Sequence, residues 1–230
     1  MTAKTLDGIE LLLDLPPAVR NNLALRCRWR LYKEGEQVID HQSTGCDVYF
    51  IAAGRVEVVI FARSGRSISF DDLTAGQCFG QVAAVDGLPR SASVVAAMES
   101  LIACMPADTF RGVLEQYPSV GLRLIRDLAR IVRTSNERIV ELSVYGAPYR
   151  VQAELLRLAR QHMVNEKTAM LSPSPHHNDI AARVSTTRET VARVFGDLTR
   201  QKLLRKAPGT LYVNDVPKLA AIVESYRSED

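Results

Sequence analysis

Short apolar runs separated by glycine occupy the first half of the chain, from about Arg28 to Met105. They are rich in β-branched and aromatic residues, and the clearest are Val48–Ile51, Arg55–Ile60, Ser67–Phe70 and Ser93–Val95. Glycines at positions 35, 45, 54, 65, 76 and 87 fall between or beside these runs. Short strands with a turn signal about every ten residues are typical of closed or double-sheet β structures, so this region predicts one.

A long helix is predicted to follow, from Pro118 to about Tyr145. Its core positions follow a strict heptad spacing with one polar member: Ile125, Leu128, Val132, Ser135, Ile139 and Leu142. Such a seam needs a second helix to cover it, and the simplest one is that of a second copy of the chain. Packing on the chain's own β domain is the alternative. Ser135, flanked by Thr134 and Asn136, is a polar break whose hydroxyl needs a partner from the second copy, water or a ligand.

A basic helical region begins after Gly146-Ala147-Pro148, which we interpret as the stop signal of the long helix. The predicted elements are a helix over Val151–His162, a loop over Ser172–His177, two short helices over 178–195, and a β-hairpin over Leu203–Val213 turning at Pro208-Gly209. The predicted domains are therefore 1–117, 118–145 for the long helix, and 146–230.

The composition of the 230 residues excludes whole-chain disorder, because 47% are hydrophobic and 24% charged. The apolar runs are far shorter than the roughly 20 residues of a membrane-spanning helix. We therefore expect a cytoplasmic protein with no membrane partner. The four cysteines include no Cys-x-x-Cys pair, so we expect buried, unreactive thiols and neither a metal site nor a disulfide framework.

Positive charge is concentrated towards the C-terminus. Residues 1–145 carry 16 Lys and Arg against 17 Asp and Glu, whereas residues 146–230 carry 13 against 9. Between Asn178 and Lys206 the count is 7 basic to 3 acidic. Such an excess in one short segment favours a polyanionic partner.

The segment 178–195 is predicted to form a helix, a tight turn and a second helix. Four apolar residues of the second helix follow the i, i+3, i+4, i+7 spacing of one buried face: Val191, Val194, Phe195 and Leu198. The exposed face then carries Arg188, Glu189 and Arg193, with the small Ala192 between them.

This exposed face has the chemistry of base recognition. Arginine can donate two hydrogen bonds to guanine, and glutamate can accept one from the cytosine amino group. Thr187 and Thr190, near the positive end of the helix, suit phosphate contacts. The plain alternative is an ordinary surface helix with an ion pair between Glu189 and Arg193.

A second candidate site lies in the β region. The sequence there runs Gly76-Gln77-Cys78-Phe79-Gly80-Gln81-Val82-Ala83-Ala84 and continues, after a short gap, as Leu88-Pro89-Arg90-Ser91-Ala92-Ser93. Gly80 is expected to open a short helix whose first N–H groups can meet an anion. Arg90 can return to the same place and pair with a phosphate, and Ser91 adds a hydroxyl donor.

Both motifs resemble those of the cyclic-AMP receptor protein (CRP–FNR) family of bacterial transcription regulators. Thr187–Arg193 is similar to the recognition helix of that family, and Leu203–Val213 to the wing of its winged helix–turn–helix. Gly76–Ser93 is similar to the phosphate-binding cassette, F-G-E-x-A followed by R-[ST]-A. The resemblance covers nearly the whole chain in the same order. It implies an α+β fold with an N-terminal β-roll (a cyclic-nucleotide-binding jelly roll), a long dimerisation helix and a C-terminal winged helix–turn–helix.

The resemblance also implies roles for individual residues. A cyclic nucleotide, cAMP or cGMP, would be bound by Phe79, Gly80, Gln81, Val82, Arg90 and Ser91, and its base by Thr134, Ser135 and Asn136 on the long helix. DNA would be contacted by Thr187, Arg188, Glu189, Thr190 and Arg193, in a TGTGA-like palindrome. The implied partners are double-stranded DNA, a second copy of the chain and RNA polymerase.

One position departs from the family's pattern. Gln81 stands where the ribose-binding glutamate usually lies, and its carbonyl oxygen can still accept a hydrogen bond from a 2′-hydroxyl, without the charge. Because Arg90, Ser91 and the Phe79-Gly80 pair are retained, we expect a working cyclic-nucleotide site. A vestigial cassette, with a different effector or none, is the alternative.

Other classes of function have weaker support. The sequence contains no Gly-x-Ser-x-Gly, Walker loop or His-Glu-x-x-His motif, so we predict no catalytic residue and no enzymatic activity. His176 and His177 lack further ligands at metal-binding spacing, Cys27 is too isolated for an iron–sulfur cluster, and His41 is the only β-roll histidine available to a haem. We therefore predict no metal. A nucleotide-binding module whose winged domain binds protein is the remaining hypothesis, and the exposed Arg-Glu-Arg trio argues against it.

Overall fold

The structure is a computed structural model that describes residues 4–61 and 67–227. Its internal contacts divide the chain into two units, Met1–Arg133 and Thr134–Asp230. The turn predicted at Gly65 lies outside the described residues.

Two four-stranded antiparallel sheets dominate the first unit. The strands are β1 (Arg28–Tyr32), β2 (Gln37–Ile39), β3 (Val48–Ala53), β4 (Arg55–Phe61), β5 (Ser67–Thr74), β6 (Cys78–Phe79), β7 (Ser93–Ala96) and β8 (Ser100–Met105). Their orders in the two sheets are β1-β8-β3-β6 and β2-β7-β4-β5. A 3-10 turn (Glu10–Leu12) and the helices α1 (Pro17–Arg26), α2 (Gln81–Asp86) and α3 (Ala107–Gln116) complete this unit, together with the start of α4 (Pro118–Val144). The predicted double-sheet β structure is confirmed.

Strand β3 shows why part of this sequence reads as an unbroken apolar run. Alternate side chains of a strand point to opposite faces of the sheet. Val48 and Phe50 pack into the cluster between the sheet and the helices, while Ile51 packs into the cluster between the two sheets, and all three are fully buried. Both faces of this sheet are therefore covered, which requires apolar residues at successive positions.

Helix α4 packs on the β-roll only through its first turns. Val120 and Leu124 are buried there, and Leu128 packs on the same cluster. By contrast, the heptad positions Ile125, Val132, Ile139 and Leu142 are between 48% and 62% exposed. Most of the predicted seam is thus uncovered in a single chain, and among its apolar members within the described residues only Leu128 packs on the chain's own β domain.

The second unit contains a small helical core closed by a three-stranded sheet, in the order β10-β11-β9. Its elements are α5 (Ala147–Gln161), β9 (Ala169–Leu171), α6 (His177–Arg183), α7 (Arg188–Arg200), β10 (Leu204–Ala207), β11 (Thr210–Val213) and α8 (Val216–Arg227). In the hairpin Ala207 pairs with Thr210, so the chain turns at Pro208-Gly209 as predicted. The winged helix–turn–helix is confirmed.

Two predicted boundaries are wrong. Helix α5 begins at Ala147 instead of Val151, because Pro148 lies in its first turn, where its missing N–H is not needed. The predicted loop over Ser172–His177 ends one residue early, because His177 begins α6 and its ring packs edge-on against Phe195. Strand β9 and the helices α1, α3 and α8 were not among the predicted elements.

All four cysteines are free, but only Cys27 is buried. The prediction of buried thiols is wrong for Cys46, Cys78 and Cys104, which are half-buried. Burial raises the pKa of Cys27 to about 12, and burial also raises the pKa of Cys104. Both thiols are therefore protonated and weakly nucleophilic at neutral pH.

Candidate nucleotide and DNA sites

The cassette places a glycine where the chain enters helix α2. Gly80 has φ +82°, in the left-handed region that glycine adopts without strain. A Cβ at this position would lie 2.7 Å from Nη1 of Arg90 and 2.9 Å from the carbonyl oxygen of Asp47. Both the backbone conformation and the lack of space therefore require glycine here.

Arg90 reaches this turn from ten residues farther along the chain and is only 3% exposed. Its Nη1 donates to the carbonyl oxygen of Gly80 at 3.0 Å, and its Nη2 donates to the carbonyl oxygen of Asp47 at 2.7 Å. Within the described residues no carboxylate forms an ion pair with it. A buried guanidinium held by neutral carbonyls keeps a positive charge that an anion would neutralise.

Aromatic side chains lie beside this guanidinium. Tyr49 stacks on Phe79 with 5.1 Å between ring centroids, and Cζ of Arg90 lies 5.6 Å from the Tyr49 centroid. Burial raises the pKa of Tyr49 to about 12, so its hydroxyl is neutral. The Asp47 carboxylate accepts hydrogen bonds from Arg28 at 2.6 Å and from the Cys104 thiol at 3.3 Å, whereas its main-chain carbonyl accepts from Arg90. Neither Asp47 nor Tyr49 carries a sequence signal for this role.

The other predicted nucleotide ligands differ in exposure. Phe79 is buried, Gln81 is half-buried at the first position of α2, and Val82 and Ser91 are exposed. Thr134, Ser135 and Asn136 are exposed on α4, at the start of the second unit. The role of these three residues in contacting the base stays a prediction.

The second candidate site is built on a helix–turn–helix whose turn is strained at one position. Ser185 has φ +50°, and the N–H of Thr186 donates to the carbonyl oxygen of Ala181 at 3.0 Å. Thr187 then caps α7, its hydroxyl accepting from the N–H of Thr190 at 3.3 Å. The four residues predicted as the buried face of α7 are at most 3% exposed: Val191, Val194, Phe195 and Leu198.

The predicted reading face of α7 is open to solvent. Arg188, Glu189 and Arg193 are all exposed. In the described part of the chain, neither arginine makes a hydrogen bond or an ion pair, so the surface ion pair considered for Glu189 and Arg193 is not formed. The backbone N–H of Glu189 itself and the hydroxyl of Thr187 lower the pKa of the Glu189 carboxyl, which is therefore ionised and held at the start of the helix.

Arg150 of α5 holds the turn in place, a function the sequence reasoning missed. It donates from Nε to the carbonyl oxygen of Val184 at 2.9 Å and from Nη2 to that of Ser185 at 3.3 Å. Its Nη1 donates to the carbonyl oxygen of Tyr145, at the end of α4, at 2.7 Å. One side chain thus connects the end of the long helix to the turn that precedes the recognition helix.

The wing adds further positive charge. Arg205 and Lys206 are exposed on β10, and Cζ of Arg205 lies 3.9 Å from the centroid of the Tyr212 ring. Gly209 turns the hairpin with φ +66°.

Two further properties of the described residues concern metal binding and membrane insertion. No group of three or more histidines, cysteines or carboxylates lies close enough together to hold a metal ion. Over residues 4–61 and 67–227, no helix combines the length and hydropathy that a membrane crossing requires.

Comparisons with known proteins identify the two domains in which these candidate sites lie. The sequence model of the cyclic nucleotide-binding domain matches residues 29–117, and that of the Crp-like helix-turn-helix domain matches residues 149–222. The cyclic AMP receptor protein of Thermus thermophilus is 30% identical over 193 residues, which make up 84% of this chain and 87% of that protein. The CRP-like cAMP-activated global transcriptional regulator of Mycobacterium tuberculosis is 26% identical over 190 residues, covering 82% and 85%.

Solved structures show the same fold. A mutant of CooA from Carboxydothermus hydrogenoformans aligns with a TM-score of 0.75 and 20% identity over 86% of this chain and 88% of that one. The catabolite activator protein of Thermus thermophilus aligns with a TM-score of 0.53 and 28% identity over 94% and 99%. The chain, with a cyclic nucleotide-binding domain followed by a helix–turn–helix DNA-binding domain, belongs to the CRP–FNR family of transcription regulators.

Proposed function

We propose that the chain is a homodimeric regulator that binds a TGTGA-like DNA palindrome under the control of a cyclic nucleotide, cAMP or cGMP. The observation that supports a cyclic nucleotide as the effector is Arg90, a buried cation whose hydrogen bonds within the described residues go to two main-chain carbonyls. Burying such a charge is costly unless it is compensated, and the phosphate of a cyclic nucleotide provides the compensation. In this proposal Gly80 lets the phosphate approach the backbone, and the Ser91 hydroxyl donates a hydrogen bond to the phosphate. The carbonyl oxygen of Gln81 accepts one from the ribose 2′-hydroxyl.

The proposed dimer rests on the uncovered seam of α4. Ile125, Val132, Ile139 and Leu142 lie at heptad positions and are about half exposed or more, which suits knobs-into-holes packing with a second copy of the helix. A dimer is also what a palindrome requires, because two recognition helices must lie about 34 Å apart, one turn of DNA. Ser135 in the seam, with Thr134 and Asn136, would let the bound base influence how the two helices pair.

The proposed DNA contacts rest on the open face of α7. Arg188 and Arg193 have no internal partner among the described residues, so their donors are available for base edges. Glu189, ionised and placed in the first turn, is a ready acceptor. Thr187 and Thr190 would bind phosphate. As a cytoplasmic regulator the protein would act on transcription through RNA polymerase.

DNA binding with and without nucleotide tests this proposal. We expect fluorescence anisotropy to show tight binding to a TGTGA-type palindrome in the presence of cAMP or cGMP, weaker binding to a scrambled duplex, and a steep loss of affinity with salt. Arg193→Ala should reduce the preference for the palindrome by about 1–3 kcal/mol. Arg160→Ala is the matched control, because Arg160 is an exposed arginine of α5, and it should preserve the preference for the palindrome over the scrambled duplex. Equal affinity for the two duplexes would contradict the proposal.

A further inference from the structure

His177 lies where α6 packs against α7, next to a loop that is bonded to the wing: the N–H of Ser174 donates to the carbonyl oxygen of Gly209 at 2.8 Å. His177 is the first residue of α6, the leading helix of the helix–turn–helix, and its half-buried ring packs edge-on against Phe195 of α7, with 5.1 Å between centroids. Arg188 at the start of α7 and Lys206 of the wing are close enough for their charges to act on the imidazole. Both of these cations are exposed.

The surroundings of His177 oppose its protonation in the free protein. Burial lowers its pKa below the ordinary value of a histidine, and the charges of Lys206, Arg188 and His176 lower it further. These charges come from the wing, from α7 and from the neighbouring position. The carboxylate of Asp179 lies in the same first turn of α6 but is not among the groups that shift the imidazole. The ring is therefore neutral at pH 7.

We infer that His177 contacts a DNA phosphate as an imidazolium, so that each protomer takes up a proton from solvent when it binds DNA. The inference rests on the proposed DNA-binding function. In helix–turn–helix proteins the first helix crosses the DNA backbone while the second enters the major groove. A phosphate that contacts the ring would directly favour the charged imidazole, and it would offset the positive charges of Lys206 and Arg188, which add to burial in opposing protonation of the free protein.

The pKa of His177 would differ between the free and the DNA-bound protein, and this difference sets the sign of the pH dependence. The pKa of His177 is lowered in the free protein and would be raised in the complex, so the complex holds more protons at intermediate pH. Affinity for DNA then increases as pH falls through the interval between the two values and levels off on either side. Uptake of one full proton would correspond to about a tenfold change in affinity per pH unit for each protomer.

The test compares the full-length protein with histidine variants from pH 8.0 to about pH 6.0 at constant salt and saturating cyclic AMP. We expect the wild type to bind the palindrome severalfold more tightly at the acidic end. His177→Gln should flatten the profile at weak affinity, and His177→Arg should flatten it at strong affinity. His162→Gln is the matched control, because His162 is exposed at the end of α5, and it should keep the wild-type slope.

A second measurement counts protons directly. Isothermal titration in two buffers of different ionisation enthalpy should show proton uptake by the wild type and by His162→Gln, and none by His177→Gln. Circular dichroism melts identify any variant that has lost its fold. If His177→Gln is unfolded, the pH profile of His177→Arg shows by itself whether the pH dependence comes from His177.

Two outcomes overturn the inference while leaving the proposed function intact. One is tight, sequence-selective binding by the wild type with no pH dependence. The other is a slope that disappears in His176→Gln but persists in His177→Gln, because the titrating group would then be the neighbouring histidine. Failure to bind any duplex at any pH overturns the proposed DNA-binding function instead.

Discussion

Replacing Arg90 by alanine is the most direct test of the proposed nucleotide site. The guanidinium has five N–H donors. Two of them are used by the carbonyl oxygens of Gly80 and Asp47, which leaves three for a ligand. If a cyclic phosphate takes two of these, at about 1.5–3 kcal/mol for each hydrogen bond to a charged group, the substitution should cost about 3–6 kcal/mol of binding free energy. That is at least about a hundredfold in Kd.

Isothermal titration with cyclic AMP and with cyclic GMP measures this loss. Arg55→Ala provides the matched control, because Arg55 is an exposed arginine on β4 of the same unit, and it should bind the nucleotide like the wild type. Thermal unfolding of both variants is needed alongside, since Arg90→Ala also removes the donors for two carbonyls of the β-roll. A melting temperature close to that of the wild type would assign the lost affinity to the missing ligand contacts.

One result would refute the reasoning. If Arg90→Ala remains folded, binds DNA as the wild type does and has an unchanged response to both nucleotides, the buried cation serves only to join the turn at Gly80 to the loop at Asp47. The cassette would then be vestigial, and the effector would have to be sought elsewhere.

Three further substitutions test other parts of the proposal. Gln81→Glu should tighten nucleotide binding by about 1 kcal/mol, because a charged acceptor replaces a neutral one on the ribose hydroxyl; weaker binding in titrations would mean that the carboxylate lies too near the phosphate. Ser135→Leu should tighten the dimer on dilution in analytical ultracentrifugation and weaken the nucleotide response, because it makes the heptad seam continuous; no change in either would contradict the placement of Ser135. Arg150→Ala removes the donors of three carbonyls around the helix–turn–helix and should lower the melting temperature and the DNA affinity together, with a stability loss of about 1.5–3 kcal/mol or more. A melting temperature and DNA affinity equal to those of the wild type would show that the turn keeps its conformation without the hydrogen bonds from Arg150.

The local periodicities of the sequence were sufficient for most of the architecture. The spacing of Val191, Val194, Phe195 and Leu198 predicted the buried face of α7, and the structure buries all four. The heptad on α4 predicted a seam, and most of that seam is exposed in the single chain. These features could be read in advance because side-chain direction in a helix or strand repeats with a fixed period, so a pattern along the chain maps onto a face. The position of Gly80 at the start of α2 was also predictable, because glycine adopts the backbone conformation of a tight turn without strain.

The partners of the functional side chains, by contrast, were decided only by tertiary structure. Arg90 is held by the carbonyl of Asp47, 43 positions away, and Arg150 by those of Val184 and Ser185, 34 and 35 positions away. Every residue has a main-chain carbonyl, so no residue type marks the positions that will accept these bonds. In the sequence His177 is simply one of two adjacent loop histidines. Only in the folded unit do the charges of Lys206 in the wing and Arg188 in α7 lower its pKa. The sequence therefore predicted most of the elements, their exposed faces and the charged residues on them, whereas the packing of distant segments determined which charges are buried and which are open to a ligand.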